Sequence, residues 1–430
     1  MLGREDRHKD RPRVVIVGGG FGGLRLAQVL EDEPVQVTLV DRRNFHTFQP
    51  LLYQVATAML DPAAIARSLR AILRRQANVE VRLGTVTGVD WAAKLVLLAD
   101  GTPIAFDTLV LATGAVTSDY GIEGVAEHAF PLKSPEEALR LRHHVLERFE
   151  RTLADPARIE SGELTFTVVG GGPTGVELAG ALVELIDNVV RKDFPGLDVD
   201  RAHVVLIEAT DHLIDPFHPR SRENARHTLE SRGVEVRLGT TVEAVTADAV
   251  HLAGGAVVPT RTLIWTAGVR ANPLADRLGL DQTQGGRIVV EPDLSVPGHP
   301  DVFVIGDLAA SRDLDGNLHP QMAPLAQQGA DHVAAQLRRR RQGLATDRFD
   351  YRNKGVMATI GRNAAVAELP NGLRFRGRLA WVMWLALHLQ RLVGYRSRFE
   401  VLTSWAWNYL TTDRTARLMV GAADEPSTRR

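Results

Sequence analysis

Short apolar, β-branched runs alternate along this chain with glycine-rich turns and helix-period segments, and the alternation occurs twice. Arg13–Val17 (Arg-Val-Val-Ile-Val) ends on a run of glycines and reads as a buried parallel strand. A helix opens at those glycines and continues to about Glu31, and the next strand, Val35–Val40, ends on Asp41. This is a strand–turn–helix–strand unit of the length that binds nucleotides. The second copy has a strand over Leu164–Val169, glycines, a helix through about Val190, and a strand over Val204–Ile207 ending on Glu208. An insert at Arg191–Arg201, containing Pro195-Gly196, sets this acid further from its glycines. Between the copies, Ser134–Ala154 reads as a helical crossover capped at Ser134 and Pro135.

The similarity extends past the turns. Gly18-Gly19-Gly20-Phe21-Gly22-Gly23 has its counterpart in Gly170-Gly171-Gly172-Pro173-Thr174-Gly175, 152 residues later. The heptapeptide Val-Glu-Val-Arg-Leu-Gly-Thr stands at Val79–Thr85 and again at Val234–Thr240, an offset of 155. Thr108–Gly114 pairs with Thr262–Gly268 at an offset of 154, so register holds across a whole domain. The expected fold class is α/β, with two doubly wound Rossmann-like nucleotide-binding domains and a C-terminal module. Asp301–Asp307 reads as a further buried strand, returning the chain to the first domain. A helix over Pro324–Arg341 follows, closed by four arginines (Arg338–Arg341) that suit a helix C-terminus better than a lipid patch. The expected division is 11–133 and 291–348 for the first domain, 134–290 for the second, and 349–430 for the C-terminal module of short strands and then helices.

Composition narrows the class. The formal net charge of −1 favours no nucleic-acid partner. The absence of cysteine excludes disulfides, thiolate metal sites and any thiol redox relay, and with them disulfide reductases and sulfide oxidases. The fourteen histidines show no ligand spacing, so no metal site is expected. Met1–Arg13 lacks the apolar core of a signal peptide, and no run approaches the roughly 20 apolar residues of a spanning helix. From Asn371 onward there are ten arginines, no lysine and four acids, together with four of the six tryptophans. Leu379–Val393, with Trp381 and Trp384, lies between Arg374, Arg376, Arg378 and Arg391, Arg396, Arg398; a second helix carries Leu402, Trp405 and Tyr409 on one face. Tryptophan at headgroup depth with arginine collars is the pattern of an interfacial helix. The competing reading is a helix pair that packs a core or forms a homodimer.

Two fingerprints imply two nucleotides. In each, the first glycine permits the tight turn, the second admits a pyrophosphate and the third lets helix and strand pack closely. Asp41 and Glu208 are placed to accept from ribose hydroxyls, and a carboxylate at Glu208 disfavours the extra phosphate of NADPH. Asp307, on the returning strand, would lie beside the first copy and hold a flavin ribityl or pyrophosphate group. FAD is therefore expected in the first copy and NADH in the second.

At Phe48-Gln49-Pro50-Leu51-Leu52-Tyr53-Gln54-Val55-Ala56-Thr57, Gly170–Gly180, Val302–Asp307, Lys354–Arg362 and the Arg398–Arg414 tail, the chain resembles the type II NADH dehydrogenases. These are single-subunit FAD enzymes that pass electrons from NADH to membrane quinone without pumping protons. The resemblance implies a peripheral enzyme on the cytoplasmic face of the membrane. It implies cofactor contacts at Gly18, Gly20, Phe21, Gly22, Gly23, Asp41, Arg42, Gln49, Thr113, Gly114, Gly306 and Asp307, and nicotinamide-nucleotide contacts at Gly170, Gly172, Gly175, Glu208 and Gly268. Glu177 matches the family's glutamate just inside the second fingerprint helix, which tunes charge transfer or relays protons to quinone, the alternative being an acid favoured by a helix N-terminus; Lys354 is a second candidate, either as a cation near the flavin or as an ordinary surface lysine. The family's quinone-side motif is Ala-Gln, three residues, then Gln. Here Ala323-Pro324-Leu325-Ala326-Gln327-Gln328 keeps the second amide and places proline at the first, so the quinone carbonyl is held differently. Two rival readings share both nucleotide domains: a soluble reductase serving a ferredoxin or rubredoxin, and a FAD- and NADH-binding redox sensor.

Overall fold

A computed structural model describes residues 11–411, 413–414 and 416–419. In chain order the elements used below begin with β1 (Arg13–Val17), α1 (Phe21–Val29), β2 (Gln36–Asp41), α2 (Leu52–Ala56), β3 (Val79–Leu83) and β4 (Thr108–Leu111). There follow β5 (Ala129–Pro131), α3 (Pro135–Ala154), β6 (Thr165–Val169), α4 (Pro173–Leu185), β7 (His203–Ile207), β8 (Val234–Arg237) and β9 (Thr262–Trp265). The last are β10 (Ser295–Val296), β11 (His299–Val304), α5 (Ala323–Arg341), β12 (Val356–Gly361), β13 (Ala364–Glu368), β14 (Arg374–Arg376), α6 (Gly377–Arg391) and α7 (Tyr395–Thr411).

Residue contacts gather the chain into two compact units. Among the described residues, one comprises 11–47, 67–116 and 269–353; the other comprises 48–66, 117–268 and those from 354 onward. In the first, the sheet order is β10-β11-β4-β1-β2-β3, parallel except for the antiparallel β10. The chain leaves β1 for β2 on one side and later places β4 on the other, which opens a crevice at the carboxyl ends of the strands. The strands are apolar on both faces because helices and loops cover both. Val15, Val17, Leu109, Leu111, Val302 and Val304 share one buried cluster. The expected return of the chain is real: β11 pairs in parallel with β4, from Val302 opposite Leu109 to Val304 opposite Leu111. Helix α5 packs on α1. Its four closing arginines all form ion pairs, Arg338 and Arg341 with Glu33, Arg339 with Asp347 and Arg340 with Asp293. They serve the helix end and its neighbours, as expected of cations there.

In the second unit the order is β5-β9-β6-β7-β8, all parallel. Four strands therefore repeat in order: β4-β1-β2-β3 in one sheet and β9-β6-β7-β8 in the other. The two heptapeptides form the outer strands β3 and β8, and the Thr108 and Thr262 segments form β4 and β9. Crossover α3 starts where expected, with the Ser134 hydroxyl accepting from the Glu137 N–H. Helix α4 runs to Leu185 and continues as one π-helical turn, Ile186–Val190, so the expected reach is right and the hydrogen-bond pattern differs at its end.

The C-terminal segment adds an antiparallel sheet, β12-β13-β14. Its strand β12 lies against α4, where a side chain at Gly180 would come within 2.4 Å of the Ile360 carbonyl oxygen. Helix α6 covers the central strand, β13. Among the described residues no helix is long and apolar enough to cross a membrane. Exposed large apolar side chains nonetheless gather on these last helices, at Leu379, Val382, Phe399, Leu402, Trp407 and Leu410. Trp384 departs from the expected interfacial position. It is 1 % exposed and packs among aromatic rings, because its place on α6 faces Tyr53 on α2 and Trp405 on α7 rather than solvent.

Candidate functional site

The first glycine turn is shaped by backbone geometry. Gly18 has φ +107°, and a Cβ there would lie 2.5 Å from the Ala112 carbonyl oxygen. A Cβ at Gly23 would meet the Gly18 carbonyl oxygen at 1.8 Å, so the helix can start this close to β1 only with glycine. A Cβ at Gly20 would meet none of the described residues beyond its chain neighbours within 4 Å, leaving open space where α1 begins and its N–H groups emerge. Asp41 is held from two sides: the Gly19 N–H donates to Oδ2 at 2.6 Å and the Arg43 N–H to Oδ1 at 2.7 Å. A carboxylate has about four lone-pair directions, so capacity remains for a ribose hydroxyl. Arg42 is exposed at the strand end, and Phe21 packs edge-on against His46. Thr113, beside Gly114, has a buried hydroxyl with no hydrogen-bond partner, and Gly306 turns the chain (φ +70°) into Asp307, which is partly buried. An orphaned hydroxyl, an open glycine and a restrained acid in one unit fit a dinucleotide such as FAD.

The second turn repeats these features. Gly170 has φ +109°, and a Cβ at Gly175 would meet the Gly170 carbonyl oxygen at 1.9 Å. A Cβ at Gly172 would meet none of the described residues beyond its chain neighbours within 4 Å. Glu208 accepts from the Gly171 N–H at 2.6 Å and, through its other oxygen, from the N–H and hydroxyl of Thr210 at 2.9 and 3.0 Å. Arg237, whose carbonyl accepts from the Glu208 N–H, pairs its guanidinium with Glu235 at 2.7 Å. Among the described residues Glu208 thus presents a restrained carboxylate with no committed cation, suited to a free 2′-hydroxyl. Gly268 (φ +67°) closes the same unit, under the Tyr120 ring.

Glu177, on the first turns of α4, is a different kind of site. Its side chain is 8 % exposed and accepts one backbone bond, from the Thr359 N–H on β12, at 3.3 Å. Burial pushes its carboxyl up to about 8; the Thr359 N–H and the Trp384 indole N–H, whose geometry falls short of a full hydrogen bond, pull it down only in part. A group poised near neutrality can both hold and release a proton under working conditions.

Aromatic and amide side chains surround it. Tyr53 on α2 stands edge-on to Trp384 with centroids 6.4 Å apart, and α2 packs on α4. Burial, and then the charge of Glu177, raise the Tyr53 phenol well above its ordinary value. His388 stacks on Trp384 at 3.9 Å with its Nδ1 2.8 Å from the Trp384 carbonyl, and burial lowers it to about 4, so it is neutral near pH 7. Gln54 donates from Nε2 to the Tyr53 oxygen at 2.8 Å and accepts at Oε1 from the Trp405 indole N–H at 2.7 Å. Sequence reasoning singled out Glu177 but gave no role to Tyr53, Gln54 or His388. The first two lie inside the Phe48–Thr57 motif, and His388 lies within the apolar Leu379–Val393 run. Only packing brings residues 350 positions apart into one cluster.

The remaining candidates scatter. Lys354 is exposed on the strand-less stretch before β12. Gln49 is exposed at the start of a 3₁₀ turn that leads into α2. Ala323 opens α5, with Pro324 in its first turn, where a missing N–H costs nothing. Gln327 is half-buried on that helix. Gln328 uses both ends of its amide on the backbone of Arg352, donating to its carbonyl and accepting from its N–H, each at 3.0 Å.

Comparison with known proteins agrees with this geometry. Residues 12–330 match the family model described as pyridine nucleotide-disulphide oxidoreductase, and residues 353–413 match the model of the NDH2 C-terminal domain. The chain is 39 % identical over 420 residues to the type II NADH:quinone oxidoreductase Ndh of Mycobacterium tuberculosis, covering 94 % of this chain and 89 % of that one. It is 30 % identical over 440 residues to an internal alternative NAD(P)H-ubiquinone oxidoreductase of Arabidopsis thaliana, covering 93 % and 84 %. Among solved structures, NDH2 from Plasmodium falciparum in complex with NADH superposes with a TM-score of 0.87 at 20 % identity, over 94 % of this chain and 99 % of that one, a likeness of fold. With a duplicated nucleotide-binding sheet, a C-terminal domain and no cysteine, this chain belongs to the pyridine nucleotide-disulphide oxidoreductase family, in its type II NADH:quinone oxidoreductase branch.

Proposed function

We infer that the protein oxidises NADH and delivers the electrons to a membrane quinone, with FAD held by the first fingerprint. Bound FAD would supply the two-electron carrier between the two substrates. The observation that carries this reading is the pair of restrained acids, Asp41 and Glu208, each beside an open glycine at a helix N-terminus. In the first unit, Gly20, Asp41, Thr113 and Asp307 hold and orient the flavin nucleotide, with Gly18 and Gly23 shaping the turn. In the second, Gly170, Gly172, Gly175 and Glu208 seat NADH so that hydride transfer needs only approach and orientation. NADH brings two electrons and one proton, whereas reduction of a quinone to a quinol takes two electrons and two protons. One proton per turnover therefore enters through the protein, and Glu177 is the buried group whose raised value suits it to that task. The exposed apolar residues of α6 and α7, among the tail's arginines, seat the enzyme peripherally on the cytoplasmic face of the membrane. Gln328 is engaged with backbone, so it acts in this chain as a strut for the segment around Arg352 rather than as a quinone ligand.

Stopped-flow spectroscopy tests the reading. The expected result is fast bleaching of flavin by NADH, slow bleaching by NADPH, and prompt recovery with decylubiquinone. Bleaching without recovery by any quinone would sink the respiratory assignment and favour a sensor. Sedimentation with anionic vesicles is expected to carry the protein down; a protein that stays in the supernatant as a dimer would place a second copy on α6 and α7 instead.

A further inference from the structure

Asp307 sits on backbone that cannot hold its own shape. Gly306–Leu308 is a single 3₁₀ turn of three residues, entered through Gly306 at φ +70°. A lone turn fixes several dihedrals for one internal bond, here from the Ala309 N–H to the Gly306 carbonyl at 3.0 Å. Its conformation must therefore be imposed by its surroundings, and three successive carbonyls are each taken by a different donor. Gln321 donates from Nε2 to the Asp307 carbonyl at 2.9 Å, and the Ile288 N–H donates to the Leu308 carbonyl at 2.9 Å. Arg287 donates to the Ala309 carbonyl twice, from Nε at 2.9 Å and from Nη2 at 2.6 Å. The Ala310 N–H then reaches the Ile288 carbonyl at 2.8 Å, which completes a parallel bridge between Ile288 and Ala309.

Arg287 also joins this turn to a more distant stretch. Its Nη1 donates to the His319 carbonyl at 3.0 Å, so one guanidinium holds both ends of the 309–319 loop. Two residues after His319 stands Gln321, whose amide returns to Asp307. The circuit is closed: along the chain from Asp307 to Ala309, through Arg287 to His319, along the chain to Gln321, and back to Asp307. Arg287 is 7 % exposed, and all three of these bonds end on carbonyls. Burying a guanidinium against neutral carbonyls is costly beside an apolar side chain of the same volume, which argues for a task other than packing. A planar fork of donors can span two carbonyls at once, as a lysine ammonium on a flexible stem cannot.

We propose that Arg287 is a positioning residue for the flavin nucleotide: it closes the 309–319 loop so that Gln321 fixes the Asp307 turn in its binding geometry. This rests on the reading that the first unit holds FAD through Asp307. An acid gives its full worth to a bound ligand only when its backbone is already held in place. Without the guanidinium, the Ala309 and His319 carbonyls lose their side-chain donor, the loop ends part, and Asp307 must be ordered again each time flavin binds.

Flavin affinity, read directly, tests this. Bound and free FAD are separated by ultrafiltration across a dilution series, for Arg287→Met, Gln321→Leu, Asp307→Asn and the double variant Arg287→Met/Asp307→Asn. Asp307→Asn is expected to loosen flavin about 30-fold, the order of one hydrogen bond to a charged group. Arg287→Met and Gln321→Leu are each expected to loosen it about 10-fold or more, since each frees the same acid. The double variant is expected to bind no more weakly than Asp307→Asn alone, because Arg287 acts through Asp307. General damage to the domain would instead add to the Asp307→Asn loss, so a fully additive double variant overturns the proposal. Gln321 is only half-buried, so Gln321→Leu carries the test if Arg287→Met does not fold. Unchanged flavin affinity in Arg287→Met or in Gln321→Leu also overturns it. Asp307→Asn separates this from the reading beneath it. If that variant holds flavin as tightly as wild type, the assignment of Asp307 fails and the positioning role with it; if it alone loosens flavin, only the positioning role fails.

Discussion

The two glycine turns are near copies, yet their units have diverged in everything around them. In each, a strand-end acid accepts the second glycine's N–H at 2.6 Å, and an open glycine follows. What differs is the neighbourhood. In the first unit β11 adds a strand beside β4 and brings Gly306 and Asp307 to the strand ends. In the second the place beside β9 is taken by β5, and helix α4 instead carries Glu177 under β12. The lesson is that a duplicated cradle keeps its nucleotide-binding geometry, while the added elements set what surrounds each copy.

The largest test of that comparison strikes the part the units share. Gly23→Ala and Gly175→Ala each push a methyl to within 2 Å of a carbonyl oxygen, at 1.8 and 1.9 Å. Overpacking of this kind costs about 3 kcal/mol or more, or ~100-fold in a binding constant. Gly23→Ala is expected to lose bound flavin, seen as a colourless protein. Gly175→Ala is expected to stay yellow and bleach ~100-fold more slowly with NADH at low concentration. If both variants lose flavin equally, the division of labour between the turns is wrong.

Next in size is Glu177, which has no counterpart in the first turn. Its folded-state value of about 8 stands above the ordinary 4.5, so the native chain keeps a proton that the unfolded chain has lost. The sign follows: wild-type stability falls as pH climbs from about 4.5 to about 8, and below that window the group contributes nothing. Glu177→Gln removes this slope and is expected to be more stable than wild type at pH 8.5, by on the order of a few kcal/mol, and little changed at pH 4.5. Melting temperatures at both pH values check it; a parallel shift at both would show that Glu177 is not held neutral.

The acids give a smaller, more selective effect. Glu208→Gln is expected to narrow the preference for NADH over NADPH about 10- to 30-fold, the worth of one charged hydrogen bond and one repulsion. Asp41→Asn is expected to leave that preference alone and to loosen flavin on dilution. Smallest is Arg339→Ala, which removes one half-exposed ion pair with Asp347. It is expected to change stability by less than about 1 kcal/mol and vesicle sedimentation not at all. Loss of sedimentation would return the Arg338–Arg341 run to the membrane.

Much of this was legible along the chain. Apolar runs ending on glycine marked β1 and β6, and the Asp301–Asp307 run marked β11, because buried parallel strands need continuous apolar sequence. The repeat marked which strands would be equivalent. Glu177 was legible as a candidate through resemblance, but its environment was not. Burial is a property of what packs over a residue, and β12 and α6 come nearly two hundred residues later. Trp384 shows the same limit from the other side. An apolar, arginine-flanked segment looks alike whether its tryptophan meets lipid or a core, and only the packing of Tyr53 and Trp405 around Trp384 places it inside.

By itself the sequence determined the duplicated α/β architecture, the two nucleotide turns with their acids, and the exclusion of thiol chemistry. Those depend on local backbone requirements and on residue type, which a linear string records. Tertiary structure alone decided that the Gln328 amide bonds the Arg352 backbone, that His388 is buried and neutral near pH 7, and that Trp405 reaches Gln54 beside Tyr53. Proton affinity and hydrogen-bond direction depend on which groups meet and how much water they exclude. Chain order does not encode either quantity until the chain has folded.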